Sequence, residues 1–120
     1  MKKKAEEIFK RIKTLIKNVA EIVDGFPRSP TGFKIGDQII ASVTSIGANF
    51  VEAQSARSKK EFVSIMGIVL KETKETIYWL ELCGELNLTS KEKINKLIKE
   101  SSELAKIFAS IILTSSKNLK

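Results

Sequence analysis

The sequence contains no histidine, a single cysteine and only two prolines among its 120 residues. Without histidine the chain lacks the commonest general base and the Glu-x-x-His ligand pairs of di-iron helix bundles. The one cysteine, Cys83, cannot form an internal disulfide, which fits a reducing compartment such as the cytoplasm. Two prolines and six glycines leave long uninterrupted segments, and such segments favour helices over many short strands.

Long apolar runs are also missing. No stretch reaches the roughly 18 consecutive apolar residues of a transmembrane helix. The lysine-rich N-terminus lacks the unbroken apolar core of an export signal, because charges recur every few residues. We therefore expect a cytoplasmic protein with no membrane partner. Apolar residues make up 42% of the chain and charged residues 29%, which is typical of a globular protein, and its length predicts one domain, 1–120.

The net charge of +7 is unevenly distributed along the chain. Residues 1–17 carry a net charge of +5 and residues 91–120 carry +4, whereas the middle, residues 18–90, carries −2. The excess positive charge therefore lies at the two ends of the chain.

Apolar residues recur at spacings of three and four along four segments, which is the period of an amphipathic helix. These segments predict helices over about residues 3–23, 33–54, 59–86 and 90–116. We expect the first helix to end at Gly25 in a left-handed conformation. Ser58 with Glu61, and Thr89 with Glu92, predict capping boxes that start the third and fourth helices. Short connections between such helices predict an all-α, up-and-down four-helix bundle in which the first and last helices are neighbours.

The second predicted helix has no charged residue between Asp37 and Glu52. Small residues occupy the faces outside its apolar stripe: Ala41, Ser42, Ser45, Gly47, Ala48 and Ala53. A surface helix normally presents charges to solvent, and an exposed face of this kind usually marks an interface. We therefore expect Ala41, Ser45 and Ala48 to contact another copy of the chain. The alternative is a monomer whose other helices surround the second one.

Three motifs and one later segment point to a known family. The motifs are Phe26 with Pro27, then Ser45, Ile46, Ala48, Asn49 and Glu52, then Arg57, Ser58, Lys60, Glu61 and Phe62. Together with KETKETIYWLELC over residues 71–83, they closely resemble the rRNA intervening-sequence protein family. This family was first described from open reading frames in intervening sequences of large-subunit ribosomal RNA genes, and its members are often labelled ribosomal. The resemblance covers roughly residues 5–115. Gly47 replaces a usual proline and Ala53 a usual glycine.

The resemblance implies a left-handed up-and-down bundle that assembles as a ring-like homopentamer. The number five comes only from the resemblance. The biochemical role of the family is unsettled. A distantly similar bundle is an accessory protein of diversity-generating retroelements, where it partners a reverse transcriptase and nucleic acid, which implies RNA or DNA as a partner here.

Nothing in the sequence predicts an enzyme, a metal site or another cofactor. Cys83 lies on an apolar helix without a histidine partner, so we expect a buried packing residue rather than a nucleophile. Glu52, Glu72 and Glu75 lack the spacing of a metal-binding loop. We expect glutamates such as these to pair with neighbouring lysines on exposed helix faces.

A polar cluster follows the uncharged part of the second helix: Asn49, Glu52, Arg57, Ser58, Lys60 and Glu61. The interpretation that we favour is structural, with Asn49 satisfying groups between helices and Glu52 paired with Arg57 or a lysine. The functional interpretation is a partner-binding cluster at the end of the bundle, which also includes Lys59.

We predict a nucleic-acid-binding oligomer whose basic surface combines lysines of the first and fourth helices. These candidates are Lys3, Lys10, Lys13, Lys17, Lys93, Lys96, Lys99 and Lys106. The alternative is a protein-interaction scaffold without a nucleic-acid role. The two differ in whether the basic surface is continuous or is broken by acidic residues, namely Glu6, Glu21, Glu100 and Glu103. A first helix lying on a membrane is less favoured, because the bundle needs its apolar face.

Overall fold

The computed structural model describes residues 1–117 and residue 119, and all regular secondary structure in them is helical. The helices are α1 (Lys3–Asp24), α2 (Pro30–Gln54), α3 (Lys59–Glu85) and α4 (Lys91–Ser116). Each helix packs against the next along the chain, and α1 also packs against α4. Connections of four or five residues make neighbours antiparallel, in a bundle of about 50 × 22 × 21 Å. The predicted all-α fold of four helices is confirmed.

The apolar stripes of the four helices meet in one core. Phe50, near the C-terminal end of α2, belongs to this core; its ring stacks on Phe9 with centroids 6.3 Å apart and tilts against Phe108 at 6.1 Å. The side chains that are essentially fully buried include Ile12, Leu15, Ile39, Met66, Leu80 and Leu104. Burial of each such side chain contributes about 1.5–3 kcal/mol, so this core holds the four helices together. No helix in the described part of the chain is long and apolar enough to cross a membrane.

The connection between α1 and α2 differs from the prediction in two ways. Gly25 is right-handed, with φ −91° and ψ −1°, and its N–H donates three residues back to end α1. The helix α2 starts at Pro30 rather than at residue 33. A proline is well suited to the first position of a helix, because the N–H that it lacks would have no partner within the helix. Ser29 caps this helix by accepting from the Gly32 N–H at 3.0 Å. A side chain at Gly32 would overlap the carbonyl oxygen of Pro27.

Hydroxyl caps also start α3 and α4. The Ser58 hydroxyl accepts from the Glu61 N–H at 3.1 Å, and the Glu61 carboxylate accepts from the Arg57 N–H at 3.0 Å. The predicted cap of α3 is therefore confirmed, with the return bond made to the residue before Ser58. The predicted cap of α4 is wrong by one residue, since Ser90 rather than its hydroxyl neighbour Thr89 accepts from the backbone three residues ahead, at 3.3 Å.

The chain reverses direction between α3 and α4 through a left-handed residue, Asn87, with φ 55°. The Asn87 N–H donates to the Gly84 carbonyl at 3.2 Å, and the Leu88 N–H donates to the Cys83 carbonyl at 3.0 Å. This pair of bonds is a Schellman motif, which satisfies the last carbonyls of a helix. Leu88 is buried, so the motif also attaches the connection to the core.

Candidate nucleic-acid interface

The helices at the two ends of the chain form a basic layer. The neighbouring helices α1 and α4 carry eleven basic and seven acidic side chains, a net charge of +4. The helices α2 and α3 carry five basic and seven acidic side chains, a net charge of −2. The fold therefore concentrates positive charge on one side of the bundle, where a polyanion would be attracted.

The candidate lysines lie on the solvent side of this layer. All eight are exposed: Lys3, Lys10, Lys13, Lys17, Lys93, Lys96, Lys99 and Lys106. Lys3, Lys10 and Lys17 are seven residues apart, so they form one stripe along α1 with a repeat of about 10 Å. Lys99 and Lys106 have the same spacing and form a second stripe along α4. Five of the eight candidates thus form two rows rather than one patch.

Lys13 and Lys96 each contact a neighbouring side chain. The ammonium of Lys13 lies 4.8 Å from the ring centroid of Phe9, in a cation–π arrangement. Lys96 lies 3.7 Å from the carboxylate of Glu92, but both side chains are largely exposed, at 77% and 82%. Such a pair contributes little and is readily replaced by another anion.

An ion-pair network occupies the seam between α1 and α4. The Arg11 guanidinium donates to both carboxylate oxygens of Glu100, at 2.7 and 3.1 Å, and to Glu103 at 3.4 Å. The hydrogen bond to Glu100 is the main cause that raises the pKa of Arg11. A two-pronged contact of this kind is among the stronger ion pairs and holds α1 against α4. It also neutralises the arginine that would otherwise be closest to a bound anion.

Acidic residues also occur in the shallow grooves above and below this network. Lys93 and Lys96 share one groove with Glu21. Lys4 and Lys106 share the other with Glu7. The basic surface is therefore interrupted along the seam, and the lysine stripes flank a strip of mixed charge. Sequence analysis missed Arg11 and Lys4, because their positions depend on how α1 and α4 align.

Several residues of the polar cluster predicted at the end of α2 and the start of α3 have structural roles. Half-buried Asn49 donates to the carbonyl of Ser45 at 2.9 Å, within its own helix. Glu52 is exposed, and in the described residues it forms no ion pair with Arg57 or with a lysine. The pairing predicted with Arg57 is not formed there, since α2 ends before Arg57 and the chain turns between the two residues. Ser58 and Glu61 serve as the α3 cap described above, and Lys60 is exposed.

The uncharged helix α2 is covered on more sides than the sequence predicts. Ser42, Gly47 and Ala53 are buried inside the bundle, since α2 packs against both α1 and α3. Ala41 and Ala48 remain exposed, and Ser45 is half-buried.

The strip of α2 left uncovered has little unused hydrogen-bonding capacity. The Ser45 hydroxyl donates to the Ala41 carbonyl at 2.7 Å, and the Thr44 hydroxyl donates to the Ile40 carbonyl at 2.7 Å. A second helix can therefore approach this strip closely without leaving donors unpaired.

Two titratable groups considered in the sequence analysis, Cys83 and Glu72, have shifted pKa values. Cys83 is buried, and burial raises the pKa of its thiol to about 11, so the thiolate is scarce at neutral pH. Partial burial, followed by the charge of Glu75, raises the pKa of the Glu72 carboxyl. Within the described residues no group of three or more histidine, cysteine, aspartate or glutamate side chains could hold a metal ion.

Comparison with known proteins identifies the family. Residues 4–110 match the family model described as 23S rRNA-intervening sequence protein. The chain belongs to this family. A crystal structure of an S23 ribosomal protein family member from Bacteroides thetaiotaomicron, described as having unknown function, superimposes with a TM-score of 0.81. It is 31% identical, and the match covers 88% of this chain and 97% of that one. A comparison with curated proteins finds no match.

Membership of the 23S rRNA-intervening sequence family confirms the resemblance seen in the motifs. It accounts for the four-helix fold, which the Bacteroides protein shares along almost its whole length. It supplies no reaction or ligand, so any function must be argued from the surfaces of the molecule.

Proposed function

We propose that this member of the 23S rRNA-intervening sequence family is a non-enzymatic, nucleic-acid-binding or accessory protein that binds RNA through the α1/α4 layer. The observation that carries the proposal is the separation of charge between the two layers, +4 on α1 and α4 against −2 on α2 and α3. A protein that neutralises phosphates with lysines gains affinity from the release of counterions.

The proposed contact is with the sugar-phosphate backbone. The Lys3–Lys10–Lys17 stripe and the Lys99–Lys106 stripe offer ammonium groups at intervals of about 10 Å along two parallel lines. Such contacts position a nucleic acid without reading its sequence. Arg11 contributes little, because Glu100 and Glu103 already hold its guanidinium.

Self-assembly is the second part of the proposal. We infer that the exposed strip of α2 around Ala41, Ser45 and Ala48 packs against another copy, which would repeat the lysine stripes around the assembly. The internally bonded hydroxyls of this strip support a close helix–helix contact. The left-handed twist of the bundle, the homopentamer and the cytoplasmic location remain part of this proposal. Family resemblance supports the left-handed twist and the homopentamer. A lone buried cysteine agrees with the cytoplasmic location.

The nucleic-acid proposal is tested with charge-matched variants. The test variant combines Lys10→Gln, Lys17→Gln and Lys99→Gln. The control combines Lys34→Gln, Lys71→Gln and Lys74→Gln, which removes the same charge from the other layer. Binding to a fluorescein-labelled, 20-nucleotide single-stranded RNA is measured by anisotropy between 50 and 300 mM KCl. For the test variant, the slope of log affinity against log salt should become shallower by about 2, since each single-strand phosphate contact contributes about 0.7.

A gain-of-binding variant makes the same test in the opposite direction. Glu100→Gln with Glu103→Gln releases Arg11, and RNA affinity at low salt should increase. Equal losses in the two lysine triples would show that only total charge matters, and would overturn the proposed interface. Undetectable binding of wild-type protein at 50 mM KCl would favour the alternative, a protein-interaction scaffold without a nucleic-acid role.

A further inference from the structure

A cleft at one end of the bundle is lined by residues of α1, α2, α3 and α4. It lies where α1 and α3 begin and α2 and α4 end, and it has a volume of about 900 Å³. We call it the end cleft. Its apolar lining consists of Met1, Ala5, Ile8, Phe50, Val51, Phe62 and Ile111.

The end cleft has an apolar floor and an exposed apolar rim. Phe50 is buried against Phe9 and Phe108, so the floor is rigid. At the rim, Met1 and Val51 are 51% and 42% exposed. Apolar side chains that are exposed together as one contiguous patch mark a site of association.

The charged residues of the end cleft have one sign. Among the described residues, Lys2 and Lys4 line it and no acidic side chain does. Gln54 also lines it, but its amide already donates to the Phe50 carbonyl at 3.0 Å. The side-chain groups left to bind a ligand include two ammonium groups and the hydroxyl of Ser55. An occupant that matches this set has apolar side chains and negative charge.

We propose that the end cleft binds an acidic segment of a partner protein, which inserts apolar side chains over Phe50, Phe62 and Ile111 and places carboxylates beside Lys2 and Lys4. A protein segment fits better than a small ligand, because a small-molecule site buries most of its ligand and this cleft is open at Met1 and Val51. A segment needs only its anchoring side chains buried, while its backbone lies along the rim. The cleft uses neither lysine stripe, so the proposal does not depend on RNA binding.

The experiment begins with a phage-displayed library of random 12-residue peptides. The library is selected on wild-type protein after counterselection on Val51→Glu, a change at an exposed position that adds a carboxylate to the rim. Circular dichroism melts verify that the variant is folded. The expected result is enrichment of peptides that combine aromatic or aliphatic residues with aspartate and glutamate. Lack of enrichment over the counterselected protein, or enrichment of basic peptides, would overturn the proposal.

The most enriched peptide is then synthesised with a fluorescein label for polarisation measurements. Its affinity should fall about tenfold in a variant with Lys2→Glu and Lys4→Glu, through loss of two ion pairs and added repulsion. The control, Lys10→Glu with Lys17→Glu, changes net charge equally in the α1 stripe and should alter peptide affinity less than twofold. It should weaken binding of the labelled RNA instead. Equal effects of the two lysine pairs on the peptide, or displacement of the peptide by laurate, would count against a protein-binding cleft.

Discussion

The hydroxyl oxygens of Ser42 and Thr76 lie 2.9 Å apart across the contact between α2 and α3. Both residues are buried, at 3% and 0% exposure. Thr76 donates to Ser42, and the Ser42 hydroxyl donates to the Ile39 carbonyl at 3.1 Å. A buried polar group is tolerated when it is hydrogen-bonded, so this pair adds a specific link between two apolar helix faces.

We expect Ser42 and Thr76 to be energetically coupled. Ser42→Ala removes the acceptor and should lower the free energy of unfolding by about 0.5–1.5 kcal/mol. The loss of stability is limited because the Thr76 hydroxyl lies 2.9 Å from the Glu72 carbonyl oxygen and can donate to it instead. In the double variant with Thr76→Val, the loss should be smaller than the sum of the single losses by about 0.5–1 kcal/mol. Urea unfolding of the two single variants and the double variant measures these losses. Losses that simply add would disprove the coupling.

Ser101 should behave in the opposite way to Ser42. Its hydroxyl is fully buried in α4 and has no hydrogen-bond partner among the described residues. Ser101→Ala removes an unpaired polar group from the core and improves helix propensity, so stability should rise by about 1 kcal/mol. The stability change is measured as the shift of the urea unfolding midpoint of Ser101→Ala and compared with the shift for Ser42→Ala. A destabilised Ser101→Ala would show that the hydroxyl is satisfied in solution.

Two helical glycines should respond to alanine with opposite signs. Gly67 lies on the exposed side of α3, and a Cβ atom there would meet nothing within 4 Å. Gly67→Ala should therefore stabilise the protein by about 0.5–1 kcal/mol through helix propensity. Gly32→Ala places its methyl group on the Pro27 carbonyl and should destabilise it. Thermal melts of both variants test this pair, and stabilisation by Gly32→Ala would contradict the packing of the α1–α2 connection.

The proposed assembly through α2 predicts a change in mass on a single substitution. Wild-type protein should sediment at micromolar concentration as a multimer of the 13.4 kDa chain. Ala48→Glu puts a charge into the proposed contact between α2 and the neighbouring copy and should yield monomer, because an unpaired buried charge is strongly unfavourable. Ala109→Glu, at an exposed position of α4, is the control and should leave the multimer intact. A folded wild-type monomer at this concentration would rule out the assembly.

Local signals in the sequence are sufficient to predict the four helices. They are misleading mainly about the residues at which the helices begin and end. Apolar spacing predicts all four segments, because the pattern depends only on the helical period. The Ser58–Glu61 cap is also local and was predicted correctly. The errors at Pro30 and Ser90 have a common reason: several residues that favour a helix start lie within three positions of each other. Which of them is used depends on the turn that the connection must make.

The sequence by itself determined the four amphipathic helices, the cap at Ser58 and the motifs of the family, since each of these is written within a few consecutive residues. Only the tertiary structure decided that Gly47 is buried while Ala48 is exposed, that Arg11 meets Glu100, and which side chains share the end cleft. These features join residues as many as 110 positions apart, from Met1 to Ile111. They depend on the rotation and alignment of one packed helix against another, which no single helix specifies.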